Sequence, residues 1–169
     1  MIQKLKPAWV EHMRRFRASV ALILALAAMG TNACERSLEG TWKSDAKKSM
    51  DYNAAKSNLP SNTTEFLSGL LGHLTMKFAD GVLDQTAPDT ELTIASKKYP
   101  FKGFHEHVPY SVLFCNSSTI VWKVKLSVAP EEETTTFNFV DADTAWVYMG
   151  SADPKLPDIH AREYFTRSH

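Results

Sequence analysis

The sequence holds few of the signals that name a chemistry. It has no G-x-S-x-G and no recognisable Ser-His-Asp order, and neither cysteine sits in a nucleophile motif. Nothing in it therefore argues for catalysis, and no enzyme activity is expected. Only two cysteines, Cys34 and Cys115, occur in 169 residues. Of the six histidines, His105 and His107 in "FHEHVP" would face the same way on a strand. A metal site needs three or four ligands, and nothing nearby in sequence completes that pair, so neither a metal nor a cofactor is expected. No repeat, low-complexity stretch or shift in composition points to a second domain.

The apolar run from Ala18 to Ala33 is short for a membrane span, which takes about 20 residues, and Glu35 and Arg36 follow it at once. A basic segment with Lys4, Lys6, Arg14, Arg15 and Arg17 precedes it. This is the order of a secretory signal, so residues 1–33 are expected to be a signal peptide and 34–169 a single exported domain. Met13 stands directly before "RRFRASVALILALAAMG", and a signal read from there has ordinary proportions, which makes Met13 a candidate for the true start. Residues 1–33 hold five of the 19 basic and one of the 19 acidic side chains, leaving 14 basic against 18 acidic. A mildly acidic domain without a basic stripe is not expected to bind nucleic acid.

Cys34 has three readings. Cleavage after Ala33 would make it the mature N-terminus, the residue acylated in bacterial lipoproteins, which would anchor the domain to a membrane. The resemblance to that motif is partial, since Thr31 and Asn32 stand where Leu and a small residue are usual. In the alternative Cys34 forms a disulfide with Cys115, which would persist in an oxidising compartment. In the third both thiols are free.

Along the exported part, "SDAKKSMDYNAAKSNLP" reads as a surface helix capped by Ser44 or Asp45, with a thin apolar side at Ala46, Met50 and Ala54. "SNTTEFLSGLLG" reads as a second helix, with Asn62 and Glu65 spaced as a capping box and Gly72 placed to end it. The period then becomes two. "LTMKFADGVLDQTA" sets Leu74, Met76 and Phe78 on one face and carries Asp80-Gly81, the signal of a tight hairpin. Further strands are expected at 91–98, 108–115, 119–128, 134–140 and 144–149. "TIVWKVKLSV" alternates Ile120, Trp122, Val124 and Leu126 with lysines, as a sheet with one dry face requires. "HAREYFTR" reads as a last strand or an extended segment.

Gly40 and Trp42 in "LEGTWKSD", with Arg167 or Arg162 in "HAREYFTR", resemble the signature of the lipocalin and lipocalin-like families. In those families a Gly-x-Trp on the first strand meets an Arg from the end of the barrel; here Gly40, Trp42 and Arg167 would take these roles. The resemblance implies a mostly β fold: an antiparallel lipocalin-like β-barrel of about eight strands, here with a two-helix insertion after the first strand.

It also implies a function without catalysis, the binding of a small apolar or amphipathic ligand in the cell envelope. Met76, Phe78, Trp122 and Phe139 are the expected cavity residues. The alternative is a periplasmic interaction protein with a solid core, an inhibitor or immunity factor whose envelope partner meets the acidic run Glu131, Glu132, Glu133 or the helical pair at 44–72. Either way the protein is expected in the periplasm, or anchored by lipid and facing it.

Overall fold

The computed structural model describes residues 34–127, 129–150 and 159–168. The expected signal peptide and the Met13 start lie outside the described residues.

Among the described residues ten strands and two helices follow in the order β1 (Gly40–Ser44), α1 (Ala46–Lys56), α2 (Ser61–Leu70), β2 (Thr75–Ala79), β3 (Val82–Ala87), β4 (Thr90–Ile94), β5 (Lys97–Phe101), β6 (Phe104–Cys115), β7 (Thr119–Val124), β8 (Glu133–Phe139), β9 (Thr144–Tyr148) and β10 (Arg162–Ser168). Eight of the strands close an antiparallel lipocalin-like barrel in the order β1-β10-β9-β8-β7-β6-β3-β2, and β4 and β5 form a separate hairpin. Strand β1 closes the ring by pairing with β10 on one edge and β2 on the other. Closure at eight strands leaves an interior just wide enough to be filled by side chains or to hold one small ligand.

Local chemistry accounts for most of the boundaries. Asp80 and Gly81 both have positive φ, 52° and 76°, as a two-residue hairpin turn between β2 and β3 demands. The strand expected at 91–98 is instead a hairpin. Ala95 and Ser96 take positive φ, 49° and 64°, and fold β5 back on β4 with no glycine to announce the turn. The tail is a full strand, and β10 is the element that closes the barrel.

The capping box expected at Asn62 and Glu65 does not form. The N-cap is Pro60, so Asn62 stands two places past it, in the first turn of the helix, where its Oδ1 accepts from the Thr63 N–H at 2.9 Å. Glu65 accepts from the Ser96 N–H of the β4–β5 turn at 3.3 Å. Helix α1 is capped by Asp45, whose Oδ1 accepts from Lys48 N–H at 2.9 Å.

The buried side of α1 is polar. Strand β1 ends at Ser44, opposite Phe165, so the first residues of β10 have no strand beside them on that edge. Ser49 and Asn53, both fully buried and one helical turn apart, take that place. The Tyr164 N–H donates to Ser49 Oγ at 2.8 Å, the Arg162 N–H donates to Asn53 Oδ1 at 2.8 Å, and Asn53 Nδ2 donates to the Arg162 carbonyl at 3.0 Å. The helix thus continues the ladder with side chains. Apolar residues of α2 form a smaller core with Ala161, centred on Leu67 and Leu71.

Inside the barrel the main core contains Trp42, Phe78, Leu83, Ile120, Phe137 and Phe165. Phe78 meets Tyr110, Trp122 and Phe137 edge to face at 5.0, 5.2 and 6.1 Å. Each such pair adds about 0.5–1.5 kcal/mol beyond the area it buries.

Candidate functional site

The registers gather the turns at 80–81, 116–118 and 140–143 at one end of the barrel, beside the start of β1 and the end of β10. Residues 34–39 plug this end. Trp42 Nε1 donates to the Leu38 carbonyl at 2.7 Å, and Arg36 Nε donates to the Ser117 carbonyl at 2.9 Å. The Arg167 guanidinium lies over the Trp42 ring at 4.4 Å and donates to the Ser37 carbonyl at 2.5 Å. Gly40 has φ +112°, and Arg167 Cδ would stand 3.6 Å from a side chain added there. Gly40, Trp42 and Arg167 therefore come together as the signature implies. Arg162 does not share that role, because it is sandwiched on the outside between Trp146 and Tyr52, at 3.6 and 4.4 Å.

At the plugged end Cys34 and Cys115 form a disulfide, with Cα atoms 5.5 Å apart. A sulfur bonded to Cys115 has no valence left for a thioether-linked lipid. In this structure Cys34 is therefore half of the alternative, the disulfide, and neither a lipid anchor nor a free thiol.

The other half of the barrel is hollow. A cavity of about 150 Å³ is lined by Met76, Gln85, Trp122, Thr135, Glu163 and Phe165 among others. Of the four expected cavity residues, Met76 and Trp122 line it. Phe78 and Phe139 are not in its wall. Phe78 lies two positions beyond Met76 on β2, one step deeper into the packed end, where other rings surround it. Phe139 lies likewise beyond Thr135 and Phe137 on β8, and its ring meets Trp42 at 5.8 Å. The interior is thus solid toward the plug and open toward the helices.

The cavity holds polar groups that sequence reasoning missed. Glu163, 9 % exposed, alternates on β10 with Phe165 and faces inward like it. Burial holds its carboxyl above the usual range, against a hydrogen bond from Ser44 Oγ at 2.5 Å that acts the other way. Ser44 Oγ in turn accepts from the Gly72 N–H at 2.7 Å, so the chain leaving α2 fixes the hydroxyl that meets Glu163. Trp122, 3 % exposed, carries a buried Nε1–H with no acceptor among the described residues.

The expected acidic run splits up. Glu132 pairs with Lys123 outside at 2.7 Å, while Glu133 begins β8 and lines the cavity. Glu106, also buried, takes a hydrogen bond from Ser127 Oγ.

His105 and His107 share the exposed outer face of β6, and Asp84 of β3 stands between them. Its two carboxylate oxygens lie 3.2 Å from His105 Nε2 and 3.3 Å from His107 Nδ1. Hydrogen bonds from the two rings hold the Asp84 carboxyl below its usual value. Among the described residues no group of three His, Cys, Asp or Glu side chains is arranged to hold a metal ion.

No family model, no curated protein and no solved structure matches this chain.

Proposed function

We propose that this chain is an exported, lipocalin-like protein of the cell envelope that binds a small amphipathic molecule in its barrel without chemical change. The observation that carries this reading is the hollow itself, whose mostly apolar wall, with Met76, Trp122, Phe137 and Phe165, holds a few polar groups, Gln85, Thr135 and Glu163. A few placed polar groups on apolar walls are the general form of a small-molecule site.

Size narrows the ligand. Pockets for drug-sized molecules run from about 300 to 1,000 Å³, whereas a cavity near 150 Å³ accommodates benzene. The hollow is open on one side, so its inner part takes one small ring or its equivalent, and anything longer would extend out through the mouth. Export is supported by the apolar run at 18–33 and by the disulfide, a bond that persists in oxidising compartments.

The test is a thermal-shift and calorimetric screen of the exported domain against single-ring compounds, with native mass spectrometry of the protein from its own host. Saturable binding that is lost in Met76→Trp, which fills the hollow, supports the reading. If no compound of this size binds and the native protein carries none, the reading fails.

One observation favours the second reading, an inhibitor or immunity factor. Val112, Leu113 and Phe114, consecutive on β6, are 46, 53 and 54 % exposed. A stoichiometric envelope partner that is lost with Leu113→Ser and Phe114→Ser would support it, and the acidic loop would then not be the interface.

A further inference from the structure

We propose that the occupant is a small cationic amine, with Glu163 holding the ammonium. This rests on the ligand-binding reading above and specifies the chemistry of the same cavity.

The charge of the wall is the first argument. Glu133 and Glu163 both contribute to it, and no Lys, Arg or His does. The cationic side chains nearby are engaged outside the barrel, Lys123 with Glu132 and Lys125 with the Ala129 carbonyl. An anionic ligand would meet two carboxylates and no counter-charge. A cation would meet them in surroundings where ring faces also attract positive charge, since Trp122, Phe137 and Phe165 complete the wall.

The second argument concerns Glu163 itself. Burying an ammonium costs desolvation, and a buried ion pair often only breaks even against apolar contacts. Here the folded protein has already buried the carboxyl, and burial already disfavours its charged form. A ligand that brings the opposite charge meets that carboxyl directly, so the gain from pairing belongs to the ligand while most of the cost on the acid side is met by folding. Ser44 leaves the second carboxylate oxygen for the ligand, because its hydroxyl donates to Oε1. Glu133, exposed at the start of β8, places a negative charge where a cation would enter.

The experiment is isothermal titration of the exported domain with three ring compounds of similar size: benzylamine, benzyl alcohol and benzoate. Benzylamine is expected to bind at least tenfold more tightly than benzyl alcohol, about 1.4 kcal/mol, and benzoate most weakly. Glu163→Gln is expected to bring benzylamine and benzyl alcohol within about threefold of each other. Met76→Trp, which fills the hollow from its wall, is expected to abolish binding of all three and tests the same site should Glu163→Gln fail to fold. Benzyl alcohol binding as tightly as benzylamine to the wild-type domain overturns the amine assignment and leaves the cavity reading standing. Failure of all three to bind overturns both.

Discussion

The Arg167 guanidinium lies 4.4 Å from the centroid of the Trp42 ring and donates across it to the Ser37 carbonyl, so one side chain joins the last strand, the first strand and the plug. Trp42 is fully buried, and its own N–H is held by Leu38. The contact is therefore one where a cation over an indole is worth about 2 kcal/mol rather than a few tenths. Arg167→Ala should lower the urea midpoint by that amount of stability with an unchanged m-value, since the barrel still unfolds as a unit. Arg167→Lys keeps the charge but not the planar fork, and should recover less than half.

The disulfide spans 81 positions of sequence. Closing a loop of that length restricts the unfolded chain by about 4.5 kcal/mol on the chain-entropy estimate. Replacing both cysteines by serine should cost stability on that scale. The protein from its native host should have an intact mass two hydrogens light and resist alkylation until reduced. An acylated chain starting at Cys34 would show instead that the sulfur serves as an anchor.

Asn53 holds two backbone groups of Arg162 that no strand reaches. Asn53→Ala leaves a buried N–H and carbonyl without their partners, at about 1–3 kcal/mol each. The expected loss is about 2–6 kcal/mol. Amide exchange at Arg162 should quicken while the amides of β7 stay protected, which separates a local edge defect from general loosening.

Alternation made the faces of the strands legible in the sequence but not the depth of a residue along the barrel. Ile120, Trp122 and Val124 all point inward as their period of two requires. Met76 and Phe78 share that parity, yet one lines the cavity and the other is packed among rings. The difference is set by strand register, which depends on partners remote in sequence. Polar residues at inward positions are hidden for a related reason. Glu163 in "REYFTR" has the parity of Phe165, but a tail that reads equally as a last strand or an extended segment has no assigned inside. Ser49 and Asn53 belong to a helix whose apolar side is thin because its buried side satisfies a strand edge. The turn at Ala95 and Ser96 lacks glycine, so the two strands it joins read as one.

Glu163 gives the prediction that sets stability against binding. Its carboxyl is raised in the folded state by burial, so between its unfolded value and that higher one the native protein binds more protons than the unfolded chain. Stability then falls as pH rises through this window, starting near the ordinary glutamate range of about 4.3, and stays lowered above it. Glu163→Gln removes the titration while an amide can still meet Ser44, so the free variant should equal or exceed the wild type at neutral pH and lose its advantage in acid. Urea midpoints of both proteins across pH 4 to 8 measure this. A variant less stable than wild type at pH 7 would mean that the carboxylate has a counter-charge within the fold, and with it the reason for an acid at this position would lie in folding. A more stable variant would mean that the wild-type residue is kept at a cost to the fold, as a residue whose partner is a ligand would be.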